Sequence, residues 1–296
     1  MFMTKIIIAD NMESEVVEEI KKLGKVVYKP TNLASELKDA EVLIVRSATQ
    51  VNAGLIAQGP RLKAVARAGV GLDNIDVAAC EKRNIKVINT PGASANAVAE
   101  LVIGLMIAML RNVQKAHLQM KNKIWDKSKL IGNEVAGKTL GIIGFGRIGS
   151  LVADKAHALG MSIIAYDPRP KQNEFVRFVD LNALFANADI ITLHVALSEE
   201  TKNLINKKSI AKMKSGVYLI NTSRGEVIDE DALYEACKNG KIAGTALDVY
   251  NKEPYTGKLL ELDNVYFTPH LGASTKEAQI RIGKELIEKL KEELIK

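Results

Sequence analysis

Short, nearly continuous apolar runs alternate along this chain with stretches whose apolar positions recur at helical spacing. In the first third the runs are "KIIIA" (5–9), "KVVY" (25–28), "EVLIV" (41–45), "LKAVA" (62–66) and "KVIN" (86–89), with a helical pattern in "VVEEIKKLG" (16–24). A strand buried on one face alternates apolar with polar, whereas a strand covered on both faces reads as an unbroken apolar run, so these segments predict a parallel sheet flanked by helices. A long helix is predicted from about 95 to 115, followed by the polar stretch "WDKSKLIGNEVAGK". The alternation then restarts with "TLGIIGFG" (139–146), "MSIIAYD" (161–167), "ADIITLH" (188–194), "GVYLIN" (216–221), "IAGTALDV" (242–249) and "NVYFTP" (264–269), which predicts a second parallel sheet. The final "STKEAQIRIGKELIEKLKEELIK" opens on a Ser-Thr cap and places Ile282, Leu286, Leu290 and Leu294 at helical spacing, as an amphipathic closing helix does. The fold class is α/β, with two doubly wound parallel-sheet domains and a ligand cleft expected between them.

Composition narrows the possibilities. The chain has 296 residues, 47% hydrophobic and 26% charged, which suits a soluble protein of two middle-sized domains. The most apolar run, Leu101 to Leu110, is closed by Glu100 and Arg111 and falls short of the roughly 20 residues that span a bilayer. No membrane association is expected, and the start lacks the long apolar region of a secretory signal, so the cytoplasm is the expected location. The 2 cysteines, Cys80 and Cys237, read as reduced and structural. No His, Cys and carboxylate group has ligand spacing, so no metal is expected. The net charge of +6 could suggest nucleic acid, but Lys and Arg are interleaved with Asp and Glu and no aromatic-basic cluster occurs. The mild basicity fits small anionic molecules instead.

The strongest chemical signal is "GFGRIG" (144–149), which follows a predicted strand, opens a predicted helix, and is followed by a strand ending at Asp167. Gly144 permits the tight turn, Gly146 lets backbone approach a pyrophosphate, and Gly149 lets the helix pack on the strand. The phosphates would lie at the helix N-terminus, where amides and dipole favour anions. Asp167 is placed to bind ribose hydroxyls and would repel a 2′-phosphate, which favours NAD over NADP.

Three polar stretches follow strands of the second sheet, at the carboxyl ends where ligands gather: "NTSRG", "DVYNKEP" and "TPHLGA". Each supplies a group that hydride exchange with an alcohol needs. Arg224 can grip a carboxylate and polarise a carbonyl, Glu253 can hold an imidazole, and His270 can take or return the hydroxyl proton. Singly, Arg224 reads as a surface charge, Glu253 as a solvated acid and Asp248 as a turn residue. On successive strand ends beside a dinucleotide fingerprint, they read as one site.

With "VRSAT" (45–49), "RAGVGLDNID" (67–76), "NTPGASANAVAEL" (89–101), "GKTLGIIGFGRIG" (137–149), "INTSRGEVIDEDAL" (220–233), "GTALDVYNKEP" (244–254) and "FTPHLGASTKEAQ" (267–279), nearly the whole chain resembles the NAD-dependent D-isomer-specific 2-hydroxyacid dehydrogenases. The likeness is closest to the phosphoglycerate-oxidising members. It implies Arg224, Glu253 and His270 as the catalytic residues. It implies NAD contacts at Gly144, Gly146, Arg147, Ile148, Gly149, Asp167, Thr222, Ser223, Asp248 and the run from His270 through Gly272 to Ala273. Val70, Val195 and Thr201 fall at further cofactor-lining positions, with His194 beside them at a strand end in a more structural role. The implied architecture is a Rossmann NAD-binding domain, 94–277, inserted into a flavodoxin-like substrate domain, 1–93 completed by 278–296. A homodimer is implied, with the long helix at its interface.

The resemblance also implies NAD-dependent oxidation of 3-phospho-D-glycerate to 3-phosphohydroxypyruvate, the first step of L-serine biosynthesis. Arg46, Ser47, Arg67 and Gly69, in "VRSAT" and "ARAGVG", would contact the substrate's anionic groups together with Arg224 and His270, and Lys127 or Lys129 would reach across a dimer. The alternatives are a glyoxylate or hydroxypyruvate reductase, another D-2-hydroxyacid dehydrogenase, and a non-enzymatic NAD-sensing corepressor-like protein. Two departures stand out. Val195-Ala196 replaces a usual proline-containing pair, and the sequence stops at Lys296 without a regulatory extension, so serine feedback by that route is not expected. His117 and His157 read as surface or packing residues.

Overall fold

The computed structural model describes residues 4–294, Leu294 by its backbone only, so the side chain closing the predicted apolar stripe lies outside the described residues. The chain divides into two compact units: one runs from the N-terminus to Ala95 and resumes at Ala273, and the other, Asn96–Gly272, is inserted into it.

The first unit holds β1 (Lys5–Ile8), β2 (Lys25–Tyr28), β3 (Val42–Val45), β4 (Ala64–Arg67) and β5 (Lys86–Asn89). They form a sheet of order β2-β1-β3-β4-β5, parallel throughout. This is the flavodoxin-like arrangement, whose order reverses between β1 and β3 and leaves a crevice at the strands' carboxyl ends. The unbroken apolar runs have the predicted cause. Ile6, Ile8, Val42 and Ile44 face the helices Ser14–Lys21 and Lys276–Leu294. Ile7, Leu43, Val45 and Val65 face the opposite layer with Leu37, Ile56 and Cys80. The closing helix starts at the expected cap, where the Ala278 amide donates to Thr275 Oγ1 at 3.1 Å. Ile282, Leu286 and Leu290 are buried, each contributing about 1.5–3 kcal/mol of transfer free energy.

The inserted unit holds β6 (Thr139–Ile143), β7 (Ser162–Tyr166), β8 (Val176–Phe178), β9 (Ile190–Leu193), β10 (Val217–Asn221), β11 (Ile242–Leu247) and β12 (Val265–Phe267). Its seven-stranded parallel sheet has the order β12-β11-β10-β9-β6-β7-β8, a Rossmann sheet extended by one strand, with the order reversing between β6 and β9. The fold class read from patterning is therefore the observed one.

Two local expectations fail. The edge strand β8 was not foreseen, because a three-residue edge strand with an exposed Arg177 carries no apolar run. The single long helix over 95–115 is instead two helices, Ala95–Leu110 and Val113–Lys121, bent by 64°. The break lies at Asn112, whose φ of 53° is left-handed, a conformation that Asn tolerates better than most residues. Among the described residues no single helix is long and apolar enough to cross a membrane.

Candidate active site

The glycine turn after β6 is shaped by two close approaches and one open position. Gly144 has φ 94°, and a Cβ there would lie 2.5 Å from the His194 carbonyl oxygen. A Cβ on Gly149 would lie 2.2 Å from the Gly144 carbonyl oxygen, so only glycine lets the helix Arg147–Ala158 close onto the turn. Over Gly146 the Cβ position meets nothing within 4 Å, leaving backbone accessible at the helix start, where first-turn amides lack intrahelical acceptors. At the end of β7, Asp167 accepts the Phe145 amide on Oδ2 and the Arg169 amide on Oδ1, each at 2.8 Å. Each carboxylate oxygen retains acceptor capacity for a ribose diol. The turn, helix start and carboxylate thus fit a dinucleotide. Arg147 is exposed and Ile148 half-buried at that helix start.

Three loops at the carboxyl ends of β10, β11 and β12 are tied together. After β10, the buried Asn221 accepts on Oδ1 from the Ser223 amide (3.0 Å) and hydroxyl (2.8 Å) and donates through Nδ2 to the Arg224 carbonyl (2.8 Å). Thr222 Oγ1 is buried without a partner. Arg224 itself donates from Nη1 to the Ser223 carbonyl at 2.6 Å. The loop leans on the next one through Gly225, where a Cβ would sit 2.0 Å from the Tyr250 carbonyl carbon.

After β11 comes Asp248, 1% exposed. Its Oδ1 accepts from the Thr268 hydroxyl (2.6 Å) and Leu271 amide (2.7 Å), and its Oδ2 from the Gly272 amide (2.8 Å). Burial raises its pKa, opposed by those three donors. The Tyr250 hydroxyl donates toward the carbonyls of Leu247 (2.9 Å) and Thr268 (2.8 Å), and burial pushes its pKa up to about 12. These bonds hold the turn that carries His270 at φ 54°, a left-handed conformation uncommon for a residue with a Cβ. The result is a paired imidazole: His270 Nδ1 lies 2.9 Å from Glu253 Oε2 and 3.1 Å from Oε1, with both side chains partly exposed. Nε2 has no partner among the described residues.

The structure thus brings Arg224, Glu253, His270, Asp248, Thr222, Ser223 and Gly272 together in the inserted unit. His194 there has a different character. Its Nε2 meets Thr192 Oγ1 at 3.0 Å, its Nδ1 is buried without a partner, and burial lowers its pKa to about 3, so the ring is neutral. Val195 reaches toward Gly144, while the Thr201 hydroxyl is engaged within its own loop, donating to the Ala196 carbonyl at 2.7 Å. His157 stacks on Phe175 with centroids 4.2 Å apart, and His117 is exposed. Lys129 pairs with Asp126 at 3.7 Å, and Lys127 lies over the Trp125 ring.

The remaining named positions, Arg46, Ser47, Arg67, Gly69, Val70 and Ala273, belong to the first unit. Arg46 follows β3 and donates to the Asn11 carbonyl (3.1 Å); Arg67 ends β4, donates to the Arg46 carbonyl (3.3 Å) and lies 3.8 Å from Asp73. Sequence reasoning missed Asn221, Gly225 and Tyr250. All three lie inside the quoted motifs; Gly225 and Tyr250 act through the neighbouring loops they touch, which local spacing does not record, while Asn221 braces its own loop.

The family model described as D-isomer specific 2-hydroxyacid dehydrogenase, NAD binding domain, matches residues 103–272. A hydroxypyruvate reductase of Thermotoga maritima is 54% identical over 87% of this chain and 86% of its own length. A D-3-phosphoglycerate dehydrogenase of Methanocaldococcus jannaschii is 46% identical over 99% of this chain and 58% of its own. The chain spans about half the length of the phosphoglycerate dehydrogenases it resembles, from 50% to 58%. Among solved structures, the D-lactate dehydrogenase of Aquifex aeolicus with NAD and lactic acid superposes with a TM-score of 0.86 at 32% identity, covering 97% of this chain and 94% of that one.

Proposed function

Because the chain belongs to the D-isomer specific 2-hydroxyacid dehydrogenase family and carries its NAD-binding domain, we propose that it interconverts a three-carbon D-2-hydroxy acid and its 2-oxo acid. The observation that carries this reading is the His270–Glu253 pair, set on the loops that follow β11 and β12 in the same sheet whose β6 leads into the dinucleotide turn. NAD, when bound, supplies the hydride-accepting and hydride-donating chemistry. Glu253 holds the imidazole by Nδ1, so that Nε2 takes the proton from the substrate hydroxyl in oxidation and returns it in reduction. Arg224 binds the substrate carboxylate and polarises the carbonyl oxygen with its guanidinium. Asp167 and the glycine turn hold ribose and pyrophosphate, and Asp248 holds the loop that presents His270.

For the substrate, we favour 3-phospho-D-glycerate, oxidised to 3-phosphohydroxypyruvate at the entry to serine synthesis. Arg46, Ser47, Arg67 and Gly69 would bind its anionic groups, and Val70 and Ala273 would line the cofactor. Support comes from the two arginines at the ends of β3 and β4 and from likeness over 99% of this chain to a phosphoglycerate dehydrogenase. Hydroxypyruvate reduction is the second reading, favoured by the 54% identical relative of similar length. The two 2-oxo acids, 3-phosphohydroxypyruvate and hydroxypyruvate, share a carbon skeleton and differ by one phosphate. Turnover with 3-phosphoglycerate, 3-phosphohydroxypyruvate, hydroxypyruvate, glyoxylate and pyruvate decides between them. A kcat/KM at least tenfold higher for hydroxypyruvate than for its phosphate ester would transfer the assignment, and no NADH change with any acid would remove the enzyme reading.

We also propose a homodimer. The run Leu101–Leu110 is largely buried within its own unit, but the stretch after it exposes Leu118 (50%), Trp125 (74%) and Ile131 (84%), an apolar surface suited to a second copy. Sedimentation equilibrium yielding a monomer at micromolar concentration would contradict it.

A further inference from the structure

The loop Arg46–Thr49 after β3 is held from two sides by residues to which the sequence reading gave no role, Asp10 outside the quoted motifs and Asn74 within "RAGVGLDNID". On one side Asp10, just past β1 and 8% exposed, accepts on Oδ2 from the Arg46 amide (2.6 Å) and the Thr49 amide (3.3 Å), and on Oδ1 from the Thr49 hydroxyl (2.6 Å). On the other side Asn74, 7% exposed, spends its two Nδ2 hydrogens on the carbonyls of Arg46 (2.8 Å) and Thr49 (2.7 Å). Asn74 is itself fixed, because the Val51 amide donates to its carbonyl at 2.7 Å. The first and last residues of the loop therefore have both backbone groups pinned. The amides of Ser47 and Ala48 between them have no partner among the described residues, and both residues are exposed. Adjacent unpaired amides held in a tight loop make an anion-binding concavity, and its affinity depends on their not having to be ordered on binding.

We propose that Asp10 and Asn74 are positioning residues that pre-form the 46–49 loop to receive an anionic group of the substrate. This rests on the reading of Arg46 and Ser47 as substrate contacts. A structural carboxylate behind an anion site has two opposed effects. It repels the incoming charge through space, and it orders the amides that bind that charge. Both of its oxygens are engaged by loop donors at 2.6–3.3 Å, which directs its charge into the loop's own N–H and O–H groups, so ordering outweighs repulsion.

The sign of the Asp10→Asn effect tests this. Asn keeps the shape but turns one acceptor into a donor facing an N–H or O–H. The expected result, with 3-phosphohydroxypyruvate and NADH, is a KM raised about tenfold or more, with kcat within threefold and NADH affinity unchanged. Inorganic phosphate, used as a competitive inhibitor, should weaken in parallel. Thr49→Val should raise KM severalfold and Thr49→Ser should restore it, a pair that carries the test if Asp10→Asn does not fold. An unchanged or lowered KM in Asp10→Asn, while Arg46→Ala raises it, overturns the positioning role and leaves the Arg46 assignment standing. If Arg46→Ala changes KM for none of the acids, the loop has no part in substrate binding and both readings fall.

Discussion

The two units use the same local device at their strand ends for different purposes. In the inserted unit Asp248 accepts one threonine hydroxyl and two amides, from Thr268, Leu271 and Gly272. In the first unit Asp10 also accepts one threonine hydroxyl and two amides, from Thr49, Arg46 and Thr49. Around Asp248 the bonded amides follow His270, and the loop is turned into a left-handed conformation that presents a side chain. Around Asp10 the bonded amides bracket Ser47 and Ala48, and the loop presents backbone. A buried carboxylate that collects loop amides is thus a neutral tool, and what it exposes depends on which residue lies among its donors.

If that contrast is right, the sites should fail in different kinetic terms. The largest effect belongs to the presented side chain: His270→Ala should lower kcat about 10³-fold while NAD binding, followed by fluorescence titration, stays within a few-fold. Activity surviving within a few-fold would end the proton role.

A second contrast sets His270 against His194, which also follows a strand but is half-buried, with its pKa lowered to about 3 by burial of the ring. A folded pKa below the unfolded value contributes stability that is present above about pH 6.5 and is lost as pH falls through the window down to about 3. Urea unfolding at pH 7 and 4.5 should show wild type losing about 3 kcal/mol more than His194→Gln. Equal losses would show the ring to be open to protonation without cost.

Next in size is Gly225→Ala, which forces a Cβ into the Tyr250 carbonyl carbon 2.0 Å away and pushes the Arg224 loop off the Glu253 loop. Loss of about 2 kcal/mol or more of stability is expected by thermal or denaturant unfolding, together with reduced kcat. The smallest effect is the most direct comparison. Asp248→Asn should lower kcat about tenfold with less change in KM, the opposite split from Asp10→Asn. The same split in both variants would mean that the two carboxylates do one job.

Much of this was legible in the chain. Parallel strands buried on both faces must be apolar at every position, so all eleven of the quoted runs marked strands that the structure contains, Ile6 to Ile8 and Val42 to Val45 most plainly. "GFGRIG" was legible because its three glycines sit at fixed spacing in one strand-turn-helix unit that is contiguous in sequence, with Gly149 closing on the Gly144 carbonyl inside that unit. Edge strand β8 escaped because a strand on the sheet margin needs no apolar run, and the break at Asn112 escaped because one left-handed residue leaves helical periodicity intact on either side.

By itself the sequence determined the fold class, the family, the dinucleotide turn with its NAD preference, and which residue types could carry out the chemistry. Those features arise from periodicity, local sterics and motif spacing, all of which are written along the chain. Only the tertiary structure decided that Glu253 meets His270 at Nδ1, that Gly225 lets one loop rest on the next, that Asn221 and Tyr250 hold those loops, and that Asp10 and Asn74 grip residues 46–49 from opposite sides. The physical reason is that, apart from the Asn221 bonds, which stay within three residues, these contacts join groups that parallel strands bring side by side from separate parts of the chain. A hydrogen bond is set by distance and angle in space, and no pattern within either segment encodes its partner.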